Sequence, residues 1–379
     1  MRYSALKIIT EALTGNKGWK PVWRDPDPKP EYDVVIIGGG GHGLATAYYL
    51  AKEFGIKNVA VLEKGWLGSG NVGRNTTIIR SNYMLPGNQP FYEFSMKLWE
   101  GIEQDFNYNA MVSQRGLLNL SHNDPQQDAF ARRGNAMLLA GADAVLLDRE
   151  DVRKNYPFLD FENARFPIRG GLLQPRGGTV RHDAVAWGYG RGADMRVVEI
   201  HQYTAVTGIR VRNGRVEGVE TNQGYIETRT VLSAVAGYTP RITEMVDLRT
   251  PIVVYPLQAC VTEPLKPWLD AIIVSASLHL YVSQSARGEL VMGAALDPYE
   301  VHSTRSTLDF AEGLADHLLE LFPFLGDVKV LRQWAGLADM TPDFAPIMGK
   351  TIIDGFYIDG GWGTYGFKAT PVCGKTMAY

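Results

Sequence analysis

Apolar and polar residues change their period several times along the chain, and each change marks an element. Asp33-Val-Val-Ile-Ile is an unbroken apolar run of strand length, followed by the glycines Gly38 to Gly41. Leu44, Ala47, Tyr48 and Ala51 then recur at helical spacing, and Val59-Ala-Val-Leu is a second buried strand. Residues 32 to 64 therefore read as a βαβ unit. Phe91 to Phe106 carries an amphipathic helical pattern, 115 to 120 a strand, and 125 to 156 alternating helix and turn. Gly170 to Pro175 suggests another strand end. Asp183 to Arg196 reads as a helix, although glycines at 188, 190 and 192 weaken it. Ala205–Arg212, Arg215–Thr221 and Gly224–Glu227 are strands joined by Asn213-Gly214 and Asn222-Gln-Gly turns, a hairpin signal. Thr230 to Gly237 is a further buried strand. Strands predominate from 252 to 294, a helix covers 305 to 321, and a strand resumes near Val328.

Residues 1 to 31 break this order. The run from Lys20 to Pro30 is charged and proline-rich, which predicts no regular element. The segment reads either as a disordered leader or as an arm lying on a neighbouring subunit, with Trp19 and Trp23 as anchors. Met1 to Gly15 lacks the long apolar core of a signal peptide.

Composition narrows the class. The 379 residues are 45% hydrophobic and 21% charged, an ordinary globular balance with room for two joined domains. A net charge of −3 gives no reason to expect nucleic acid or an anionic membrane as partner. The apolar stretch from Val34 to Ala51 contains four successive glycines and His42, so it predicts strand, turn and helix rather than a membrane span. Two distant cysteines, Cys260 and Cys373, have no metal-ligand spacing; no metal site is expected, and a reducing cytoplasm fits.

The chemistry concentrates in the βαβ unit. Gly38-x-Gly40-x-x-Gly43 follows a strand and opens a helix, and Glu63 ends the next strand. Gly38 permits the tight turn, Gly40 lets backbone approach a pyrophosphate, and Gly43 lets helix pack on strand. The helix N-terminus offers free N–H groups to phosphates, and Glu63 can accept both ribose hydroxyls. Triplet, strand, helix and acid together make a strong dinucleotide signal. NAD and FAD share it. The long loop from Lys64 to Thr77 and a second glycine-rich loop, Asp359-Gly-Gly-Trp-Gly-Thr-Tyr-Gly-Phe-Lys-Ala-Thr-Pro, favour FAD, because a second helix start can hold the ring and ribityl chain. The fold class expected is α/β: a Rossmann-like FAD-binding domain with an inserted β-rich (α+β) substrate domain. Residues 32–110, 160–250 and 330–379 are assigned to the first, 111–159 and 251–329 to the second, and 1–31 to the arm.

Several blocks carry a resemblance. Gly39-Gly-Gly-His-Gly-Leu-Ala-Thr-Ala-Tyr-Tyr-Leu, Val61-Leu-Glu-Lys-Gly-Trp-Leu, Arg74-Asn-Thr-Thr-Ile-Ile-Arg-Ser-Asn-Tyr, Arg181-His-Asp-Ala-Val-Ala-Trp, Val282-Ser-Gln, Gly288-Glu-Leu-Val-Met-Gly-Ala and Gly361-Trp-Gly-Thr-Tyr-Gly-Phe-Lys-Ala-Thr-Pro are the residues concerned. With them, and with Ala234-Val-Ala-Gly, the chain resembles the glycine and D-amino-acid oxidase family of flavoenzymes from about Lys20 to its last residue. The beta subunits of heterotetrameric sarcosine oxidases are the nearer match. The resemblance implies FAD bound non-covalently, held by Gly38, Gly39, Gly40, Gly41, His42 and Gly43 at the phosphate turn. Glu63, Lys64, Asn71, Arg74, Thr76, Ile78 and Val206 would follow along the nucleotide, and Gly363, Gly366 and Lys368 would meet it from the far end of the chain.

It also implies a covalent FMN on His182, with Arg181 as the neighbouring cation, at the contact with a large alpha subunit; gamma and delta subunits complete the assembly. Without the family, His182 is an ordinary histidine at a helix start. Arg80 matches the arginine that holds the substrate carboxylate, and Lys368 is expected near the ring. His279, alternating like a strand residue in Leu-His-Leu-Tyr, is a candidate for the core or the catalytic cleft. His122, His201, His302 and His317 read as surface residues, and no general base is assigned.

The implied reaction is oxidation of sarcosine to an imine, with electrons reaching FMN and then O2 to give H2O2. The imine would yield glycine and formaldehyde, or pass its carbon to tetrahydrofolate in the large subunit. Two other readings are a proline or other secondary amino-acid dehydrogenase whose FMN is not covalent, and an inactive flavin-binding assembly subunit. Two departures from the family stand out. The chain stops at Tyr379 inside what reads as an amphipathic helix, where the family continues. Arg196-Val-Val-Glu lacks the usual glycine between helix and strand.

Overall fold

The computed structural model describes residues 4–19, 22–83, 85 and 87–379; Lys20 and Pro21, at the head of the proline-rich run, lie outside them. Two large sheets organise the chain. The first has six strands in the order Ile347–Lys350, Phe356–Gly360, Val231–Ser233, Val34–Ile37, Val59–Leu62, Glu199–His201. All neighbours run parallel except the first pair. Parallel strands buried on both faces need continuous apolar runs, which Val34-Val-Ile-Ile and Val59-Ala-Val-Leu supply. Helices Gly41–Glu53, His182–Asp194 and Gly366–Ala378 pack together beside this sheet, sharing one apolar cluster around Tyr48, Tyr189 and Ala378. The fold is the α/β, Rossmann-like one expected, joined to a β-rich layer.

That layer is an eight-stranded sheet in the order Val330–Met340, Val253–Pro264, Glu289–Leu296, Leu280–Gln284, Ile272–Ser275, Leu117–Ser121, Gly170–Gln174, Val145–Asp148. Helix Leu308–Leu321 covers it, with Phe310, Leu314, Leu318 and Leu321 turned into a second apolar cluster. The hairpins of Val206–Arg212, Arg215–Thr221 and Gly224–Glu227 form as predicted. Thr230 to Gly237 is shorter than its apolar run: the strand is Val231–Ser233, and Ala236–Tyr238 turns into a 3-10 segment.

The N-terminal segment departs from the disordered-leader expectation. Ala5–Leu13 is a helix, capped where the Ser4 side chain accepts from the Lys7 N–H. The proline-rich stretch is held on its own chain. Trp23 packs against the first apolar cluster. Arg24 pairs with Asp194 at 2.7 Å and Lys29 with Glu199 at 2.9 Å, and the Glu227 N–H donates to the Pro30 carbonyl. Proline cannot join a ladder through its nitrogen, yet its carbonyl can accept, and charge pairs fix the rest. His201 is buried for the same reason, its ring set between the Pro26 carbonyl, Tyr32 and Glu199. His122 is buried too, bonded to Ser275 Oγ at 2.7 Å and the Phe166 carbonyl at 3.0 Å. Both histidines were read as surface residues because their partners lie far off in sequence.

The missing glycine after helix His182–Asp194 leaves Val197 at φ 77°. A β-branched residue is crowded there, at a cost of about 1–2 kcal/mol. Val197→Gly is expected to stabilise the fold by about 1 kcal/mol after the glycine's own entropy is counted. Reversible denaturation should show a higher midpoint at unchanged slope; a lower one would disprove the strain.

Candidate functional site

A cavity of about 800 Å³ runs between the two sheets. Its phosphate end is the turn after Val34–Ile37. Gly38 has φ 112°, and a Cβ there would meet the Ala234 carbonyl at 2.4 Å. A Cβ on Gly43 would meet the Gly38 carbonyl at 2.1 Å, whereas Gly40 faces open space. Only glycine permits this turn and this helix approach, and the open position at Gly40 leaves room for a phosphate. Gly40 is the N-cap of helix Gly41–Glu53 and caps it with no side chain; helix Gly366–Ala378 likewise begins without a side-chain cap. Two sets of free N–H groups therefore open near one cavity, which suits an anionic dinucleotide.

Most of the expected contacts gather there. Gly38, Gly40, Gly41, His42, Glu63, Lys64, Asn71, Arg74, Thr76, Ile78, Val206, Gly363, Gly366, Arg80 and Lys368 line the cavity. Gly39 does not; its N–H donates to Glu63 Oε2 at 2.9 Å, and Glu63 Oε1 accepts from the Gly65 N–H at 2.8 Å. Those bonds orient the carboxylate and leave it further acceptor capacity. Gly43 acts from behind the turn. Lys64 Nζ lies 3.2 Å from the centre of the Tyr238 ring. The loop from Trp66 to Thr77 is stitched to the second sheet: Asn71 bonds both N–H and carbonyl of Leu337, and Trp334 Nε1 donates to the Arg74 carbonyl at 2.6 Å.

At the other end Arg80 and Lys368 meet. Arg80 Nη1 donates to Asn82 Oδ1 at 3.0 Å, and its guanidinium stands 5.2 Å from the Tyr83 ring. The amine of Lys368 is buried and donates to the Thr364 carbonyl at 3.1 Å. Burial first, and then the Arg80 charge, hold its pKa well below the usual amine range. Neither cation has a carboxylate partner among the described residues. Asn82 Nδ2, two residues from Arg80 in the chain, is buried without a bond among the described residues. Buried donors without acceptors are costly, so this end suits an anionic ligand.

His279 is not part of the cleft. It sits at φ 46° in the turn between Ile272–Ser275 and Leu280–Gln284, exposed to solvent. The alternation in Leu278-His-Leu-Tyr mimicked a strand because a tight turn inverts the facing. Arg181 and His182 also lie outside the cavity, as N-cap and first residue of their helix. Arg181 grips Asp183 at 2.6 and 2.8 Å. Burial lowers the pKa of His182, so its ring is neutral, and its buried Nδ1 has no hydrogen-bond partner.

Two acids escaped the sequence reading. Asp359 and Asp339 line the cavity, both buried. Asp339 Oδ2 accepts from the Gly361 and Trp362 N–H groups at 2.6 and 3.2 Å, fixing the glycine-rich loop. Burial pushes its pKa up to about 6 despite those bonds. The available signal was position: Asp359 closes the apolar strand Phe356-Tyr-Ile before two glycines.

Comparison with known proteins agrees with this geometry. The family model described as FAD dependent oxidoreductase matches residues 33–379. The sarcosine oxidase subunit beta of Rhizobium meliloti is 61% identical over 379 residues, covering 100% of this chain and 91% of that one. Its counterpart in Rhodobacter capsulatus is 46% identical over 377 residues, with 100% and 91% covered. Among solved structures, L-proline dehydrogenase from P. horikoshii superposes with a TM-score of 0.86 at 26% identity, covering 93% of each chain. Glycine oxidase from Bacillus cereus gives a TM-score of 0.79 at 23% identity, covering 92% and 94%. No helix among the described residues is long and apolar enough to cross a membrane. With its fingerprint turn, uncapped helix starts and full-length similarity, the chain belongs to the FAD-dependent oxidoreductase family, among the sarcosine oxidase beta subunits.

Proposed function

We propose that the chain is the sarcosine-oxidising subunit of a cytoplasmic heterotetramer with alpha, gamma and delta subunits. The observation that carries the reading is the pair Arg80 and Lys368, facing one cavity with no acid among the described residues bonded to either. A forked guanidinium suits the carboxylate of sarcosine. The Arg80 charge disfavours a protonated amine nearby, so it selects the neutral secondary amine that can release hydride. FAD, when bound, supplies the two-electron oxidant, and FMN at His182 would relay the electrons to O2 as H2O2. The imine product would hydrolyse to glycine and formaldehyde or pass its carbon to tetrahydrofolate in the alpha subunit.

His182 supports the FMN assignment by its chemistry. A neutral ring keeps a lone pair for attack on an electron-poor methyl carbon. Arg181, held by Asp183, is the less available partner for the charge that passes into the ring. Acid precipitation of the assembled enzyme followed by peptide mass measurement tests this. A yellow pellet with an FMN mass on the His182 peptide, lost in His182→Ala, is the expected result. Release of all flavin would favour the secondary amino-acid dehydrogenase reading. Anaerobic sarcosine should bleach the holoenzyme; no bleaching with intact FAD would leave the assembly-subunit reading.

A further inference from the structure

We infer that His42, protonated on both ring nitrogens at neutral pH, is a clasp between the phosphate turn and the flavin-side loop, a positioning residue for FAD. The inference rests on the cofactor site described above and on hydrogen-bond counting. His42 is the second residue of helix Gly41–Glu53, and its side chain is 14% exposed at the cavity wall. Both ring nitrogens meet acceptors. Nδ1 faces Asp359 Oδ2 at 3.0 Å and Oδ1 at 3.2 Å, while Nε2 faces the Gly366 carbonyl at 2.8 Å. A backbone carbonyl cannot donate, nor can an ionised carboxylate. Cys373 Sγ also lies 3.1 Å from Nδ1, but the thiol has one hydrogen and the Asp359 Oδ2 carboxylate oxygen, at 2.9 Å, is its nearer acceptor. A neutral imidazole has one N–H and would set a lone pair against one of the two oxygen partners, whereas imidazolium satisfies both.

The surroundings keep Asp359 ionised to receive that proton. Trp362 Nε1 donates to Oδ1, and Cys373 Sγ, 2.9 Å from Oδ2, donates its S–H. Burial opposes charge on Asp359, but His42 and these donors outweigh it, and its pKa is lowered. Burial opposes charge on His42 as well, but Asp359, the Gly366 carbonyl and Asp339 outweigh it, and its pKa is raised. The groups facing the ring are thus Asp359 at the end of its strand, Asp339 on Val330–Met340, and Cys373 and Gly366 on the C-terminal helix. Burial and Asp359 hold the Cys373 thiol protonated. His42, Asp359 and Cys373 have ligand atoms within 4.8 Å of one another, but a thiol that donates to Asp359 forms a hydrogen-bond cluster rather than a metal seat.

The clasp joins the two ends of the chain at the two helix starts that face the cavity. Gly41 and Gly374 continue the contact, pressed against Thr370 and Ala45. A cation at the N-terminus of a helix is unfavourable alone and favourable beside a diphosphate. His42 therefore sets the positive half of an ion pair beside the phosphate turn and ties Gly366, at the start of the C-terminal helix, to that turn.

The test is nitrogen NMR of histidine-labelled holoenzyme together with FAD dissociation constants of the wild type, His42→Gln and Asp359→Asn. Both His42 nitrogens are expected to carry protons at neutral pH. Each variant should loosen FAD by about tenfold. Because the folded pKa of His42 is raised, wild-type affinity should fall as pH rises through a value above the ordinary histidine range; His42→Gln should lose that step. A neutral His42 ring at neutral pH, or a glutamine variant with wild-type affinity and the same alkaline step, would overturn the inference. Should His42→Gln fail to fold, the wild-type spectrum and Asp359→Asn decide alone. Wild-type protein that binds no FAD would fail the cofactor reading instead, which the spectrum of His42 tests separately.

Discussion

Arg80→Gln is expected to lower kcat/KM for sarcosine by about 100- to 1,000-fold, the usual cost of removing one member of a buried, hydrogen-bonded charge pair. Arg80 is held ready for an anion. Asn82 Oδ1 takes one N–H, the Tyr83 ring lies under the guanidinium, and no acid among the described residues pairs with it. Glutamine keeps polarity but loses reach, charge and fork, so the loss should fall mainly on KM if the carboxylate contact is equal in ground and transition states. Arg80→Lys restores the charge without the planar fork and should recover only part of it. Anaerobic flavin reduction over a range of sarcosine concentrations separates binding from chemistry. An Arg80→Gln enzyme with unchanged saturation would remove Arg80 from the substrate site.

How much of this was legible depended on distance along the chain. The phosphate turn could be read because Gly38, Gly40 and Gly43 act within one strand–helix unit, and each does so through the backbone. The C-terminal loop was legible for the same reason. His279 misled because alternation over four residues cannot distinguish a strand from the turn that ends it; the positive φ belongs to the hairpin geometry. The proline-rich segment was legible only in part. Its composition predicts no ladder, but Arg24–Asp194 and Lys29–Glu199 pairs hold it, and pairing across such separations has no local signal. Asp339 and Asp359 were passed over because a buried carboxylate is costly unless donors meet it, and its donors come from Trp362, Gly361 and His42. His182 is intermediate: its place at a helix start was readable, while its unbonded nitrogen emerged only with the packing.

Lys368→Met should separate stability from activity in opposite directions. The backbone at Lys368 is fixed independently of its amine, since Ser95 Oγ and Trp99 Nε1 donate to its carbonyl at 2.6 and 3.0 Å. The variant should therefore fold. Methionine fills a similar volume without burying an amine that has a single carbonyl acceptor, a gain of about 1–3 kcal/mol at neutral pH. The sign of the pH dependence follows from the lowered amine pKa. Between that value and the ordinary lysine range the unfolded chain binds a proton that the folded chain does not. Wild-type stability should therefore rise with pH across that window, and Lys368→Met should lack that part of the slope. Activity should move the other way. An amine at the flavin end of the cavity can stabilise charge that develops during reduction, and removing one such donor costs about 100-fold or more. Denaturant titrations at several pH values and stopped-flow bleaching by sarcosine measure the two effects. Parallel pH slopes in wild type and variant would show that the amine stays charged in the folded protein. Undiminished bleaching would remove Lys368 from the reaction and leave Arg80 as the cation that holds the substrate.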